Sequence, residues 1–509
     1  MVTVYSAQLL GLGAHVIPVE VDVSPGLHVF SIVGLADKEV QESRERVGAA
    51  IRNMRAKAPQ GQSGKIIVSL APADIKKEGP HFDLPIALGY LLASKQAAFD
   101  SSKKLFLGEL GLEGIVRPVR GVLPIALEAS AAGFSELYVP RGNGLEAALA
   151  ENISVYEISS LQELLDHLEG RNALTPVTRP EFSGEAPRTG VDFSEINGQA
   201  QAKRALEIAA AGNHNILMWG PPGSGKTMLA KAFPSILPPL SFQEALEVMR
   251  IYSIAGLTSR GENLVSSRPI RAPHHTASPA AIIGGGSNPA PGEVTLAHRG
   301  VLFLDEFPEF QRTVLEALRE PLEEKAITVS RAKGKVTYPA NMTLLAAMNP
   351  CPCGNRNHPK KDCVCRETEV LKYQKKISGP ILDRIDLHTE VPFVDFEQLK
   401  GGMKNRIEEP SKTIRARVMH ARAMQQKRFA SDGIFSNGDM DSKLIKKHCA
   451  IPPDAETKLT VAIAKYGLSA RSYYRILKVA RTIADLANAP DIETHHVLEA
   501  LQYRPTFEI

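Results

Sequence analysis

No apolar run in this 509-residue chain reaches the roughly 18 residues that a bilayer-spanning helix needs, which argues against a helical membrane protein. The opening residues, MVTVYSAQLLGLGAHVIPVEVDV, lack a basic leader, a long apolar core and a cleavage site, so no signal peptide is expected. The expectation is a cytoplasmic protein with no membrane partner. The net charge is only +4, too small to announce a nucleic-acid partner by itself. Any such case has to rest on where the charges lie. Cysteine is scarce, and four of the five cysteines fall in one short segment. That clustering is unlike the disulfide framework of a secreted protein and closer to a metal knuckle. Internal repeats and low-complexity tracts are absent as well.

With 43% hydrophobic and 23% charged residues the chain reads as ordinary globular protein, long enough for two to four domains. Residues 1–170 alternate β-rich runs (AHVIPVEVDV, LHVFSIVGL, KIIVSLAP, KLFLGELGL, SELYVP) with helical patterns (KEVQESRERVGAAIRNM, GLEAALAE), which predicts a mixed α and β domain. Residues 171–190, RNALTPVTRPEFSGEAPRTG, lack apolar periodicity and read as a linker. Strands and helices alternate again over 191–392. Residues 393–509 carry five runs with helical spacing, among them SKTIRARVMHARAMQQKRF and ARSYYRILKVARTIADLAN.

The strongest chemical signal is HNILMWGPPGSGKTMLAKAF, a strand, a Gly-rich turn and a helix start. The turn Gly220, Pro221, Pro222, Gly223, Ser224, Gly225, Lys226, Thr227 fits G-x-x-x-x-G-K-[ST] in full. Glycines let backbone N–H groups curl around phosphate oxygens, and the helix start adds its dipole. Lys226 is placed to reach the β- and γ-phosphates of ATP and Thr227 to hold Mg²⁺. A second apolar strand, in GVLFLDEF, ends in Asp305 and Glu306: one carboxylate for the Mg²⁺ shell, one to polarise the attacking water. A third, MTLLAAMNP, ends at Asn349, which can sense the γ-phosphate or simply form an Asn-Pro turn.

The order of P-loop, acidic strand, Asn strand, GPILDRIDLH and then helices with LSARSYYRI resembles AAA+ ATPases of the magnesium-chelatase-like group. Within that group the chain is most similar to the YifB/ComM family, through DFSEINGQAQAKRALEIAAAGNHNILMWGPPGSGKT and RAPHHTAS. The resemblance covers nearly the whole chain. It implies an α/β AAA+ P-loop core with a helical lid, behind a Lon-protease-like (ribosomal S5 domain 2-like) N-terminal domain. It also implies a homo-hexameric ring with nucleotide between subunits. Arg384 in LDRID looks like a finger given in trans to a neighbour's γ-phosphate, and Arg471 in SARS like a sensor on the lid. Read as residues alone, Arg384 could equally pair with Asp383 or Asp386, and Arg471 could be a solvated helix-start cation.

Two segments fall where related rings carry channel loops. EEKAITVSRAKGKVTYPANMT matches a hairpin whose tip holds Arg331, Lys333 and Lys335 without a nearby acid. Clustered like charges make sense opposite a polyanion such as single-stranded or branched DNA, although a solvated turn is the plainer reading. RAPHHTASPAAIIGGGSNPAPGE matches an insertion in which Arg268, Arg271, His274 and His275 with Gly284–Gly286 suggest a flexible, weakly cationic loop. Neighbouring histidines in a strand point apart and lack a third ligand, so a zinc pair is not expected. The two read as loop-ordering or phosphate-facing.

CPCGNRNHPKKDCVC supplies Cys351, Cys353, Cys363 and Cys365, four thiolates able to close a tetrahedral Zn²⁺ site, with free loop thiols as the alternative. In the N-terminal domain, KEGPHFDLPIALG sits where Lon-type proteases carry a nucleophilic serine, but Pro80, His81 and Phe82 stand there. Val122 and Leu123 occupy the place matching the catalytic lysine, so no Ser–Lys dyad and no peptidase activity is expected. The expected function is an ATP-driven DNA motor, a helicase or branch-migration ATPase in recombination or natural transformation. The alternatives are a chelatase-like ATPase remodelling a protein partner for metal insertion, an ATP-dependent protease and a general protein remodeller.

Overall fold

The computed structural model describes residues 1–27, 29–61, 64–182, 184, 190–258, 265, 267–285, 290–331, 334–356, 358–393 and 408–504. The chain divides into two units, Met1–Ser183 with Ala245–Val265, and Gly184–Glu244 with Ser266–Ile509.

The first unit is built on a seven-stranded mixed sheet. Val2–Leu10 and Gly13–Ser24 form its antiparallel centre, turning at Gly11 with φ 62°. Lys65–Leu70 and Val29–Val33 extend one side. Lys104–Phe106, Glu136–Pro140 and Ser154–Ile158 extend the other in parallel. Helix Lys38–Asn53 starts on Asp37, whose carboxylate accepts from the Val40 N–H at 2.9 Å, and buries Val40, Val47, Ala50 and Ile51 along one stripe. Residues 171–182 carry no regular structure, yet Val177 N–H donates to the Val155 carbonyl at 2.7 Å. Leu174 and Val177 pack on this unit's core.

The second unit centres on five parallel strands, in spatial order Ile270–Arg271, Val301–Leu304, Thr343–Met348, Ile216–Trp219 and Leu387–Glu390. Thr343–Met348 is buried at every position, as the interior of a doubly covered parallel sheet requires. The order is discontinuous in sequence: the Asn349 strand lies between the P-loop strand and the acidic strand. All three therefore deliver their C-terminal ends to one edge, where open α/β sheets bind ligands.

The C-terminal runs become helices Ser411–Arg428, Ser442–His448, Pro453–Tyr466, Ala470–Leu486 and Thr494–Gln502. Ala470–Leu486 is capped by the Ser469 hydroxyl, and its Ile476, Val479, Ala480 and Ile483 join one core with helix Ala200–Gly212 and Ser411–Arg428. Among the described residues no helix is long and apolar enough to cross a membrane.

Candidate nucleotide site

The chain leaves strand Ile216–Trp219 through Gly220, where a Cβ would lie 2.1 Å from the Val391 carbonyl oxygen, so only glycine passes. Gly223 (φ 76°) and Gly225 (φ 97°) then turn it through left-handed conformations into helix Lys226–Ala232. Nothing in the described structure lies within 4 Å of a Cβ placed on either glycine, so the loop presents open backbone, as a phosphate cradle must. The Lys226 ammonium folds back over this loop. It donates to the carbonyls of Gly220 (2.7 Å) and Pro221 (2.9 Å) and meets Asn349 Oδ1 at 3.3 Å. Burial pushes Lys226 down to about 8, against the pull of the Asp305 charge. An arriving polyanion would favour the charged form and offset the cost of that burial.

Thr227 Oγ1 donates to Asp305 Oδ2 at 2.9 Å, and Asp305 Oδ1 accepts the Glu306 N–H at 2.9 Å. A hydroxyl and a carboxylate oxygen in contact form one side of a hard-cation site. Lys226, Thr227, Asp305 and Asn349 thus meet at the sheet's C-terminal edge, and these residues fit a nucleotide with Mg²⁺.

The two arginines lie elsewhere. Arg384 precedes strand Leu387–Glu390, and its carbonyl accepts from the side chain of Asn215, just before strand Ile216–Trp219. It sits at the N-terminal edge, a four-residue strand, roughly 13 Å, from its own P-loop. Arg384 Nη2 donates to Glu323, and Arg471 Nη2 lies 3.4 Å from the other oxygen of the same carboxylate. Asp386 pairs instead with Arg475, Nη1 to Oδ1 at 2.7 Å, and accepts the Asn215 N–H.

The four cysteines close into one cluster after Asn349, their Sγ atoms all within 4.8 Å of one another. Cys351 Sγ is 3.4 Å from Cys353 Sγ and 3.7 Å from Cys363 Sγ. A Zn²⁺ with 2.3 Å bonds to sulfur needs tetrahedron edges of about 3.8 Å, so the donor set fits that ion. His358 is outside the cluster, its ring 4.6 Å from that of Phe393. The knuckle touches the P-loop: a Cβ on Gly354 would lie 2.6 Å from the Pro222 ring and 3.8 Å from Asn349 Cγ.

Residues 192–399 match the family described as magnesium chelatase, subunit ChlI, 19–143 match subunit ChlI of Mg-chelatase, and 408–504 match its C-terminal part. The chain is 41% identical to competence protein ComM of Haemophilus influenzae, covering 98% of this chain and 97% of that protein. It is 42% identical to YifB of Escherichia coli over 98% and 96%. The chain belongs to the YifB/ComM family. It also shares 26% identity over 48% of its length with the DNA replication licensing factor mcm-5 of Caenorhabditis elegans, 27% of that protein. This YifB/ComM chain therefore carries the α/β AAA+ fold of the magnesium-chelatase-like group.

The insertion differs from its sequence reading. Arg271 binds Glu293 through two bonds, 2.5 and 2.7 Å, and Arg268 binds Glu244 at 3.1 Å and the Arg299 carbonyl at 2.7 Å. Both cations are engaged by internal partners, so neither faces outward as a free phosphate contact. The His274 and His275 rings lie 4.2 Å apart, tilted by 33°, rather than pointing apart as in a strand. His275 Nδ1 lies 3.0 Å from Glu306 Oε2, so this loop residue meets the expected water-polarising carboxylate. Glu306 itself is left-handed, φ 52°, a conformation a non-glycine residue seldom adopts. No local pattern in the sequence joins His275 to Glu306; only strand Ile270–Arg271 lying beside Val301–Leu304 does.

The expected hairpin forms from Ala326–Arg331 and Gly334–Pro339 with Arg331 opposite Gly334. Ile327, Val329 and Tyr338 are buried and Lys335 is exposed. Lys333, Gly286 and the side chain of Arg331 lie outside the described residues. Gly284–Gly285 pairs with Ala290–Pro291, and a Cβ on Gly284 would lie 3.4 Å from Val329 of the hairpin. In the first unit His81 is buried, with Nε2 2.9 Å from the Ala7 carbonyl, and Val122 and Leu123 lie in the core.

Proposed function

We propose that this YifB/ComM protein is an ATP-driven DNA motor working as a ring, a homo-hexamer by family resemblance. The observation that carries the ATPase reading is the convergence of Lys226, Thr227, Asp305 and Asn349 on one sheet edge. Bound MgATP would supply the scissile phosphoanhydride and a metal to neutralise its developing charge. The chain's own residues do the rest. Lys226 exchanges its loop carbonyls for phosphate oxygens, and Thr227 with Asp305 holds the metal side. Glu306 polarises water, and Asn349 orients it toward the terminal phosphate.

We read Arg384 as the finger given to a neighbour's γ-phosphate and Arg471 as the lid sensor, and we extend the trans role to Arg471 because both share Glu323 at the opposite edge. The cysteine knuckle holds Zn²⁺ and braces Asn349 and the P-loop.

The DNA reading is supported by exposed Lys335 on the hairpin, with Arg331 and Lys333 close to it in sequence, and by the names of the competence-related and replication-licensing relatives. The competing reading, a chelatase-like remodeller, is favoured by the subunit ChlI matches. ATP turnover with and without single-stranded, duplex and branched DNA separates the two. Stimulation that falls steeply with salt is expected of the motor. Lys335→Glu should lose that stimulation and keep basal turnover. Turnover indifferent to every DNA would rule the motor out.

A further inference from the structure

Arg384 and Arg471 come from distant parts of the chain, yet they end on the two oxygens of one side chain. Glu323 lies at the end of helix Arg319–Glu324, its side chain 44% exposed. Arg384 Nη2 donates to Oε2, and Arg471 Nη2 stands 3.4 Å from Oε1. Arg384 is otherwise poorly served: Nη1 donates to the Pro380 carbonyl at 2.7 Å, while Nε is buried without a partner among the described residues. Hydrogen bonding from Arg384, with the charges of Arg384, Arg471 and Arg475 around it, holds the Glu323 carboxyl below its ordinary range. An anionic group with one oxygen on each of two guanidinia is the arrangement in which paired arginines take a terminal phosphoryl group.

We propose that Glu323 stands in for the γ-phosphate of a neighbouring subunit's nucleotide, keeping Arg384 and Arg471 together and idle until that phosphate displaces it. The proposal rests on the reading of both arginines as acting in trans. Before any nucleotide arrives, Glu323 is the counter-ion the two guanidinia share. Arg384 is buried and Arg471 exposed, and the carboxylate they share is half-exposed and so open to exchange. A γ-phosphate brings more charge and a third oxygen, and wins the exchange. Glu323 is then a positioning residue: it touches neither substrate nor metal, and it sets how much nucleotide is needed to recruit the arginines.

Glu323→Gln tests this in the full-length protein, by ATP turnover against ATP concentration. Removing the competing charge should lower KM by about threefold to tenfold, the worth of two ion pairs on a half-exposed carboxylate, while kcat stays within about twofold. In an Arg471→Ala background the same substitution should shift KM less, because one of the two pairs is already gone. A lower kcat with unchanged KM would mean that Glu323 aligns the arginines for catalysis, and would overturn the proposal. So would no change in either constant. Melting temperature and elution volume guard against misfolding, and Glu323→Ala, which cannot hydrogen-bond either arginine, must move KM the same way. The underlying reading has its own control: Arg384→Ala that turns over at the parent rate defeats the trans assignment, whatever Glu323→Gln does.

Discussion

Gly354→Ala probes the join between the cysteine knuckle and the P-loop. Gly354 has φ 78°, so alanine there carries a backbone cost of about 1–2 kcal/mol wherever its side chain points. The methyl group adds a collision. It would stand 2.6 Å from Pro222 Cγ and Cδ, about 0.8 Å inside the 3.4 Å at which ordinary contact begins. Those atoms belong to a ring closed on the backbone, so the P-loop itself must move. A shift approaching 1 Å at a phosphate cradle costs up to about a hundredfold in rate. Gly433 is the control: its φ is 70°, and nothing lies within 4 Å of a Cβ there. Both variants should lose similar thermal stability and keep their zinc. Only Gly354→Ala should lower kcat/KM for ATP, by between about tenfold and a hundredfold. ATP turnover and binding of a fluorescent ATP analogue, measured beside melting curves, give the comparison. If Gly354→Ala only melts earlier, as Gly433→Ala does, the argument that the knuckle braces the loop is wrong.

His275→Ala removes the partner 3.0 Å from Glu306 and should raise DNA-independent ATP turnover by about twofold to fivefold, compressing the ratio with and without DNA. A fall instead would make His275 an aid to Glu306. Elemental analysis should find one zinc per chain, and Cys363→Ser should lower both metal content and melting temperature; a metal-free, fully folded parent protein would contradict the knuckle. Burial pushes His81 down to about 4 and, with Arg504 nearby, His388 down to about 3. The unfolded chain takes up these protons at about 6.5 while the folded one does not. Each histidine should therefore cost about 1.4 kcal/mol of stability per pH unit as pH falls from about 6.5 to its folded value, about 4 for His81 and about 3 for His388, and nothing above 6.5. His81→Gln should flatten the decline of melting temperature between pH 6.5 and pH 4.

Local chemistry made much of this legible. The apolar runs ending in Trp219, Leu304 and Met348 read as buried strands because their neighbours on both faces are protein, and the Gly-rich turn, Asp305 and Asn349 that follow them marked the binding edge. Strand Val2–Leu10 was not picked out, because Ser6 and Gln8 are buried polar residues that interrupt its apolar alternation. The order of the parallel strands is set by crossovers, which leave no periodic mark. That is why the approach of His275 to Glu306 could not be read. Arg268 and Arg271 looked like loose cations because no periodic pattern links them to Glu244 and Glu293, 24 and 22 residues away, although Glu293 closes the same segment as Arg271. Motif order marked Arg384 and Arg471 as a pair of interest, but only the folded chain brings Glu323 between them.

Placing the phosphate loop at one end of the sheet and the arginines at the other gives every copy two incomplete halves. If copies meet as proposed, a lone molecule would turn over slowly at best, and specific activity should climb with enzyme concentration until the copies saturate one another. Blending in copies that lack Arg384 would silence their companions as well as themselves, so a minority of spoiled copies would poison a disproportionate share of the work.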